Sequence, residues 1–366
     1  MKFCAVLGMH PSDTSGGAEL QSQLICAELS RRGHQSYYVA YDSNELSVES
    51  HDGVSVYRLA EPGRYKRLRR VLTTVREIDP DVIYLRNIKD APLSAMFKSQ
   101  TDSHVVFNIS HDVQCLPRFA GWPGKNDSTP LHTLYRRTKL GIRRSFLSVP
   151  DTIFVQTERQ QKLLKKHRDM TSVLTGNGHP RPESEPEKHA PPVVLWLASI
   201  KEWKQPHVFV DLASACTDLE CEFWLVGRPS TRTLAREIAD RAESLPNLQY
   251  LGGCTVSESD DYIERASVFV NTSKQEGFPN TFIQSWFRKT PVVSLHVDPT
   301  HESVEFETGY YALESESELV DRVRELVQNP AHRSDLGEQA YRYACEYNDI
   351  QRVVDRIETG LPIHIV

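Results

Sequence analysis

Asn271-Thr272-Ser273-Lys274-Gln275-Glu276-Gly277-Phe278-Pro279-Asn280-Thr281-Phe282-Ile283-Gln284 follows the apolar run Val268 to Val270 and precedes another, Val292 to Leu295. The order reads as strand, tight polar loop, helix from Asn280 to Arg288, strand. Gly277 and Pro279 tighten the loop, and the helix start presents backbone amides to an anion such as a phosphate. Glu276 can accept hydrogen bonds from sugar hydroxyls, and Gln284, one helical turn past Asn280, can donate or accept at a ribose. Such a loop would hold a nucleotide-diphosphate sugar at the carboxyl ends of strands, where open α/β sheets bind ligands. A plain surface loop with a helix cap would not require Glu-Gly-Phe-Pro-Asn in that order.

Outward from this stretch, both halves of the chain alternate short apolar runs with amphipathic segments. Phe3 to Leu7, Ser36 to Ala40, Val54 to Leu59, Val82 to Leu85, Val105 to Ile109 and Ile153 to Gln156 read as strands, with a helix at Ala18 to Arg32. After position 192 the rhythm restarts with strands at Val193 to Leu197, Glu222 to Val226, Leu248 to Leu251 and Val268 to Asn271. Helices fall at Gln205 to Ala215, near Ser257 to Arg265, and at Tyr343 to Ile357. Alternating strands and helices imply parallel sheets, because each crossover needs a helix to cover a sheet face. Between the halves, Gly176 to Pro192 carries five prolines in seventeen residues, a composition that neither helix nor sheet tolerates. The expected organisation is a domain over 1–178 joined by a C-terminal helix at about 345–366, a linker over 179–192, and a second domain over 193–344, facing across a cleft.

Composition narrows the function classes. The 366 residues hold 43 Lys and Arg against 49 Asp and Glu, a net charge of −6, which argues against a protein that coats nucleic acid. With 39% hydrophobic residues the chain can build large cores. No run approaches the ~18 apolar residues of a membrane span, and the N-terminus lacks a secretory layout. The seven cysteines are scattered without a Cys-x-x-Cys pair. That predicts reduced thiols in a cytoplasm and no structural zinc.

Gly16-Gly17-Ala18-Glu19, preceded by Ser15, follows the first strand and opens a helix, so Gly16 and Gly17 can bring backbone close to a ligand. GxGxxG is absent, so a dinucleotide fingerprint is not supported. Asp79-Pro80-Asp81 matches a metal-binding Asp-x-Asp, but it precedes a strand, on the edge opposite the usual ligand side, and reads as a turn. Two basic stretches, Arg64 to Arg70 and Arg136 to Arg144, read as solvated helix faces. The second, interleaved with Tyr135, Leu140, Ile142 and Phe146, also fits an anionic membrane surface or an acidic acceptor.

Ser273 to Gln284 resembles the donor-site motif of glycosyltransferase family 4, retaining sugar transferases of the GT-B type. Gly16-Gly17-Ala18-Glu19, Pro80-Asp81-Val82-Ile83-Tyr84, His111-Asp112, Asn177-Gly178, Leu225-Val226-Gly227 and Leu251-Gly252 resemble further family positions in the same order. The resemblance implies two Rossmann-like α/β domains and a metal-independent retaining transfer from a nucleotide sugar to a glycan or lipid-linked acceptor. The leaving diphosphate would help deprotonate the acceptor hydroxyl on the same face. Glu276, His111 and Lys204 would be the catalytic residues. Gly16, Gly17, Lys201, Gly277, Phe278, Pro279, Asn280, Thr281 and Gln284 would bind the donor, with no cofactor. Two positions depart from the family: Gln284 stands for a second Glu, and Ser199 for an Arg five residues before Lys204, with Lys201 as the candidate replacement charge. Those departures favour the alternative, a non-catalytic nucleotide-sugar-binding or scaffold protein. An epimerase or phosphorylase on the same fold lacks its acid/base pair or its pyridoxal lysine.

Overall fold

The structure is a computed structural model that describes residues 1–366 except 14–15, 44, 61–62, 122–128, 301–305, 314, 364 and 366. The chain forms two compact units, Met1–Pro180 with Asp349–Val366, and Arg181–Asn348.

The first unit runs β1 (Lys2–Leu7), α1 (Gly17–Arg31), β2 (Gln35–Ala40), β3 (Ser47–His51), β4 (Val54–Arg58), α2 (Arg64–Ile78), β5 (Val82–Leu85), α3 (Ala91–Gln100), β6 (His104–Asn108), α4 (Pro130–Ser145), β7 (Thr152–Val155), α5 (Glu158–Arg168) and β8 (Val173–Leu174). Its sheet has the order β3-β4-β2-β1-β5-β6-β7-β8. Alternation along β1 shows the layering: Cys4 and Val6 face one core with Val71, Val75 and Phe97, while Phe3, Ala5 and Leu7 face another with Ile25 and Leu29. All neighbouring strands are parallel except β3, which runs antiparallel to β4. The reason is local. Asp52 and Gly53 both take positive φ, 51° and 76°, the two-residue hairpin that Asp-Gly encodes, a signal the expectation of purely parallel sheets passed over.

The second unit runs β9 (Val193–Leu197), α6 (Pro206–Ala215), β10 (Glu222–Val226), α7 (Arg232–Glu243), β11 (Leu248–Gly252), α8 (Val256–Arg265), β12 (Val268–Asn271), α9 (Asn280–Phe287), β13 (Val292–Ser294), β14 (Gly309–Tyr310), α10 (Glu316–Gln328) and α11 (Pro330–Tyr347). Its six strands, ordered β11-β10-β9-β12-β13-β14, are parallel throughout, so the loops after β9, β10, β11 and β12 all leave from one edge. Val194 and Trp196 face a core shared with α6, α7 and α10, and Val193 and Leu195 face one shared with α8, α9 and α11.

The proline-rich segment is anchored to the second unit. Lys188 Nζ donates to Glu264 O, Arg288 O and Thr290 Oγ1 at 3.1, 2.7 and 2.6 Å, and His189 N donates to Arg265 O at 3.0 Å. The single helix expected over Tyr343 to Ile357 is instead two. Asn348 closes α11 through a bond to Ala344 O, and the Asp349 side chain accepts from Gln351 N at 2.9 Å to open α12 (Ile350–Gly360). A residue that caps a new helix with its side chain competes with continuation of the old one. The break returns the chain to the first unit, where Ile350, Val353, Val354, Ile357 and Leu361 join the core of Phe3 and Ile25. At that junction a Cβ on Gly178 would lie 2.9 Å from Ile350 Cα, so only glycine admits the close approach. Gln21 clamps it, donating to Gly178 O at 2.8 Å and accepting from Gly178 N at 3.0 Å.

Candidate active site

In the second unit the loop after β9 and the loop after β12 are tied together through one side chain. Thr272 Oγ1 donates to the carbonyls of Lys204 and Gln205 and accepts from Trp196 Nε1 at 2.9 Å, while Lys274 N donates to Trp203 O at 3.0 Å. A short 3-10 turn, Glu202–Lys204, with Gln205 at φ 50°, aims the Lys204 side chain along the edge. There its ammonium pairs with Glu276 and lies 4.5 Å from the Trp203 ring centre. Both side chains keep little exposure, 14% and 12%, so each charge is sheltered from solvent screening and balanced by the other.

Gly277 and Pro279 shape the turn into α9. Pro279 occupies the N-cap without a side-chain cap, and the first turn holds no acid. The partial positive charge of that helix end is therefore not offset by an acidic side chain of its own first turn. Phe278 packs edge-on against Trp286, ring centres 6.0 Å apart, so its role is to seat the loop on the core. Asn280 and Thr281 begin the helix. Gln284 is buried, and its Nε2 donates to Asp260 Oδ1 of α8 at 2.9 Å. Burial raises the Asp260 pKa and the Gln284 bond partly opposes that shift.

Lys201 and Ser199 both lie exposed in the loop after β9. Sequence reasoning missed Arg228, which stands directly after β10 and is exposed on the same edge. Its carbonyl accepts from Ile200 N at 3.0 Å. Gly227 permits this approach, since a Cβ there would lie 1.9 Å from Ala198 O. Arg228, Lys201 and the exposed Lys274 thus gather positive charge at the strand ends around the Lys204–Glu276 pair. The signal was present: Arg228 and Lys274 each stand within three residues of a predicted strand end.

Gly16, Gly17 and His111 belong to the first unit, so the structure joins Lys204 to Glu276 but the other candidates have separate local settings. Ser15 lies outside the described residues. Gly16 is the uncapped N-cap of α1, and a Cβ on it would fall 2.0 Å from Glu19 Oε2. The carboxylate of the same motif therefore folds back on the glycine, held by Asn87 Nδ2 at 3.2 Å. His111 opens a 3-10 turn after β6, and its Nδ1 accepts from Val113 N at 3.2 Å. In the neutral ring this puts the proton on Nε2. Asp112 braces that turn, accepting from Arg159 Nε at 3.0 Å and Gln160 Nε2 at 3.2 Å. Asn177, of the Asn177-Gly178 pair, accepts from the buried Arg86 at 2.5 Å and from Gln156 at 3.1 Å, which is a structural use. Asp81 accepts from Lys2 N at 2.6 Å and Asp79 ends α2 at φ 49°, so Asp79-Pro80-Asp81 is a turn between α2 and β5.

Among the described residues no helix is long and apolar enough to cross a membrane. The architecture matches solved GT-B enzymes along nearly its whole length. Sucrose-phosphate synthase from Thermosynechococcus elongatus superposes with a TM-score of 0.78 at 14% identity, covering 98% of this chain and 97% of that one. Anabaena HepE, solved with UDP and glucose, gives 0.74 at 15% identity and 98% coverage of both. Staphylococcus aureus TarM, solved as a mutant with UDP, α-GlcNAc-glycerol and fondaparinux, gives 0.62 at 16% identity, over 80% of this chain and 58% of that one. No curated protein matches the sequence. A family model described as glycosyl transferases group 1 matches residues 191–329, and one described as a glycosyl transferase 4-like domain matches 16–174. With both halves matched in that order on a GT-B fold, the chain belongs to the family 4-like glycosyltransferases.

Proposed function

We propose that the chain is a retaining hexosyltransferase that moves a sugar from a nucleotide-sugar donor to a glycan or lipid-linked acceptor. The observation that carries the reading is the sheltered Lys204–Glu276 pair beside the uncapped start of α9. UDP in the HepE and TarM structures, and UDP-glucose in a further HepE structure, support a nucleotide donor. On entry of the donor, the Lys204 ammonium and the amides from Gly277 to Thr281 take up the diphosphate, and Arg228 and Lys201 add charge in place of the arginine that Ser199 lacks. Glu276 turns to the sugar hydroxyls and orients the ring. His111 donates from Nε2 to a sugar hydroxyl near the reacting carbon. As the glycosidic bond to the diphosphate breaks, negative charge grows on the leaving oxygens, where preorganised donors stabilise it most. The leaving diphosphate takes the acceptor proton on the same face, and no step in this scheme calls on a metal or a cofactor.

A thermal-shift panel of UDP-, GDP- and ADP-linked sugars, run on the native chain and on Glu276→Ala, tests the donor site. One nucleotide sugar should raise the melting temperature, and Glu276→Ala should reduce the shift. Donor hydrolysis without acceptor then separates an enzyme, which leaks, from a binder, which does not.

We also propose that this cytoplasmic enzyme touches an anionic membrane through α4 and not through α2. On α2 Val71, Val75 and Ile78 are buried, and among the described residues of the basic stretch Tyr65 alone of the large hydrophobics stands exposed, leaving a mainly solvated basic face. On α4 only Gly141 and Arg144 are buried, and Leu131, Leu134, Tyr135 and Ile142 are exposed beside Arg136, Arg137, Lys139 and Arg143, with no acid in the helix. Apolar contact combined with positive charge is what an anionic bilayer surface selects. Flotation with phosphatidylglycerol vesicles should be lost in Leu134→Ser/Tyr135→Ser and kept in Arg69→Ser/Arg70→Ser. Binding equally to neutral phosphatidylcholine vesicles, or to neither, would sink this assignment.

A further inference from the structure

The buried amide of Gln284 has only one orientation that fits its surroundings. A carboxylate accepts and does not donate, so Nε2 must face Asp260 Oδ1 and Oε1 must face away from it. Gln284 is 7% exposed, and among the described residues its side chain makes no hydrogen bond besides the one to Asp260. Its other oxygen is therefore a fixed acceptor with no partner among the described residues. Asp260 in turn lies partly buried near Asp261, Glu264 and Arg288, and the Gln284 amide is the side-chain donor that compensates its burial. Arg288 is engaged elsewhere, with Glu264 at 3.2 Å. Along α9, Gln284 stands about one turn, ~5.4 Å, beyond the helix start that faces the diphosphate. In a nucleotide the next group along is the ribose, whose hydroxyls donate.

We propose that Asp260 is a positioning residue for the donor, locking the Gln284 amide so that Oε1 accepts a ribose hydroxyl. An uncharged amide held this way offers the ribose the same acceptor that one carboxylate oxygen would. The inference rests on the donor reading above. It also makes a prediction opposite to what sequence resemblance alone gives: restoring the family's glutamate at position 284 harms binding, because it sets two carboxylates at hydrogen-bond distance.

The test titrates UDP, GDP and ADP, and the 2′,3′-dideoxy form of whichever binds, into the native chain, Asp260→Asn, Gln284→Glu and the double variant Asp260→Asn/Gln284→Glu. The native chain should prefer ribose over dideoxyribose about tenfold, as for a hydrogen bond made in a sheltered site. Asp260→Asn lets the two amides turn about, and the preference should shrink severalfold. Gln284→Glu should weaken binding of the normal nucleotide about tenfold. The double variant exchanges donor and acceptor, the new amide at 260 bonding the new carboxylate at 284, and should restore both affinity and ribose preference to within about threefold. Should either single variant fail to fold, the double variant against the native chain decides alone. Failure of the folded double variant to recover overturns the proposal. So do unimpaired binding by Gln284→Glu or a native chain indifferent to the ribose hydroxyls, and in both cases the donor reading stands. No binding of any of the three nucleotides by the native chain overturns the donor reading and this inference together.

Discussion

Two helices in this molecule open in the same way, α1 in the first unit and α9 in the second. Each follows a central parallel strand through a glycine-bearing loop, and neither has a side-chain cap. They differ in what stands beside the helix end. At α1 the motif's own Glu19 folds onto Gly16, so the helix end already has a negative partner. At α9 the first turn carries no acid, and Lys204, Lys201, Lys274 and Arg228 collect nearby. The two helix starts thus differ in charge balance: among the described residues Glu19 stands unpaired with a cation at α1, whereas at α9 the nearby acid, Glu276, is matched by Lys204. We propose that a phosphate is favoured at α9 and disfavoured at α1 by the nearby Glu19 carboxylate. The units also differ in how they hold together, because the second is continuous in sequence while the first requires α12 from the end of the chain.

The largest expected effect follows from that last contrast. Truncation after Tyr347 removes five buried apolar side chains, at roughly 2 kcal/mol each. The total of about 10 kcal/mol approaches a domain's whole stability. Calorimetry should lose one transition and keep the other, and an unchanged melting profile would sink this account of the first unit. Next come the charges at α9. Lys204→Ala and Glu276→Ala should each lower kcat/KM by about 100-fold, the scale of lost electrostatic stabilisation at a reacting centre. Because in the donor complex Lys204 holds the diphosphate and Glu276 the sugar, the loss in the double variant should approach the product of the two single losses, and a double variant no worse than either single one would show that they act only as a pair.

Smaller effects probe the first unit. With the donor phosphates at α9, as proposed, Glu19→Gln should leave nucleotide affinity within about twofold of native. A severalfold gain, from relieving a repulsion of the size helix-end charges carry, would falsify the contrast between the two helix starts. Asp90, buried at the start of α3 and bonded by the Tyr41 hydroxyl, has its pKa raised by burial from 3.8 to about 7. The folded protein then holds this proton where the unfolded chain has lost it, so its contribution to stability falls as pH rises from about 4 to 7. Asp90→Asn should therefore raise the melting temperature at pH 8 by a few degrees, about 2–4 °C, and by less at pH 5. An equal shift at both values would show that its ionisation plays no part.

How far the sequence could be read depended on whether the decisive contact was local. The strand–loop–helix at Asn271 to Gln284 was legible because Gly277, Pro279 and the flanking apolar runs act within a few residues of one another. The hairpin at Asp52-Gly53 was equally local and equally legible, but the expectation of uniform parallel pairing hid it. The break at Asn348 was not legible in that way: helical periodicity continues across it, and the capping by Asp349 competes only because α12 has a core to reach in the first unit. Gln284 was legible as a ribose contact standing where the family has glutamate, but its orientation was not, since its partner Asp260 lies 24 residues away on another helix. Arg228 had a local signal, its place just past a predicted strand end, but its closeness to the loop after β9 shows only in the fold.

The sequence by itself determined the α/β alternation, the two halves, the transferase resemblance and the candidate pair Lys204 and Glu276. Each of these is encoded in residue periodicity or in motifs whose parts lie close along the chain. Tertiary structure alone decided that Lys204 meets Glu276, that Gln284 is oriented by Asp260, and which basic helix turns its apolar side outward. Those outcomes depend on packing, Coulomb interactions and hydrogen bonds between residues distant in sequence, which act over a few ångströms and exist only once each unit has folded.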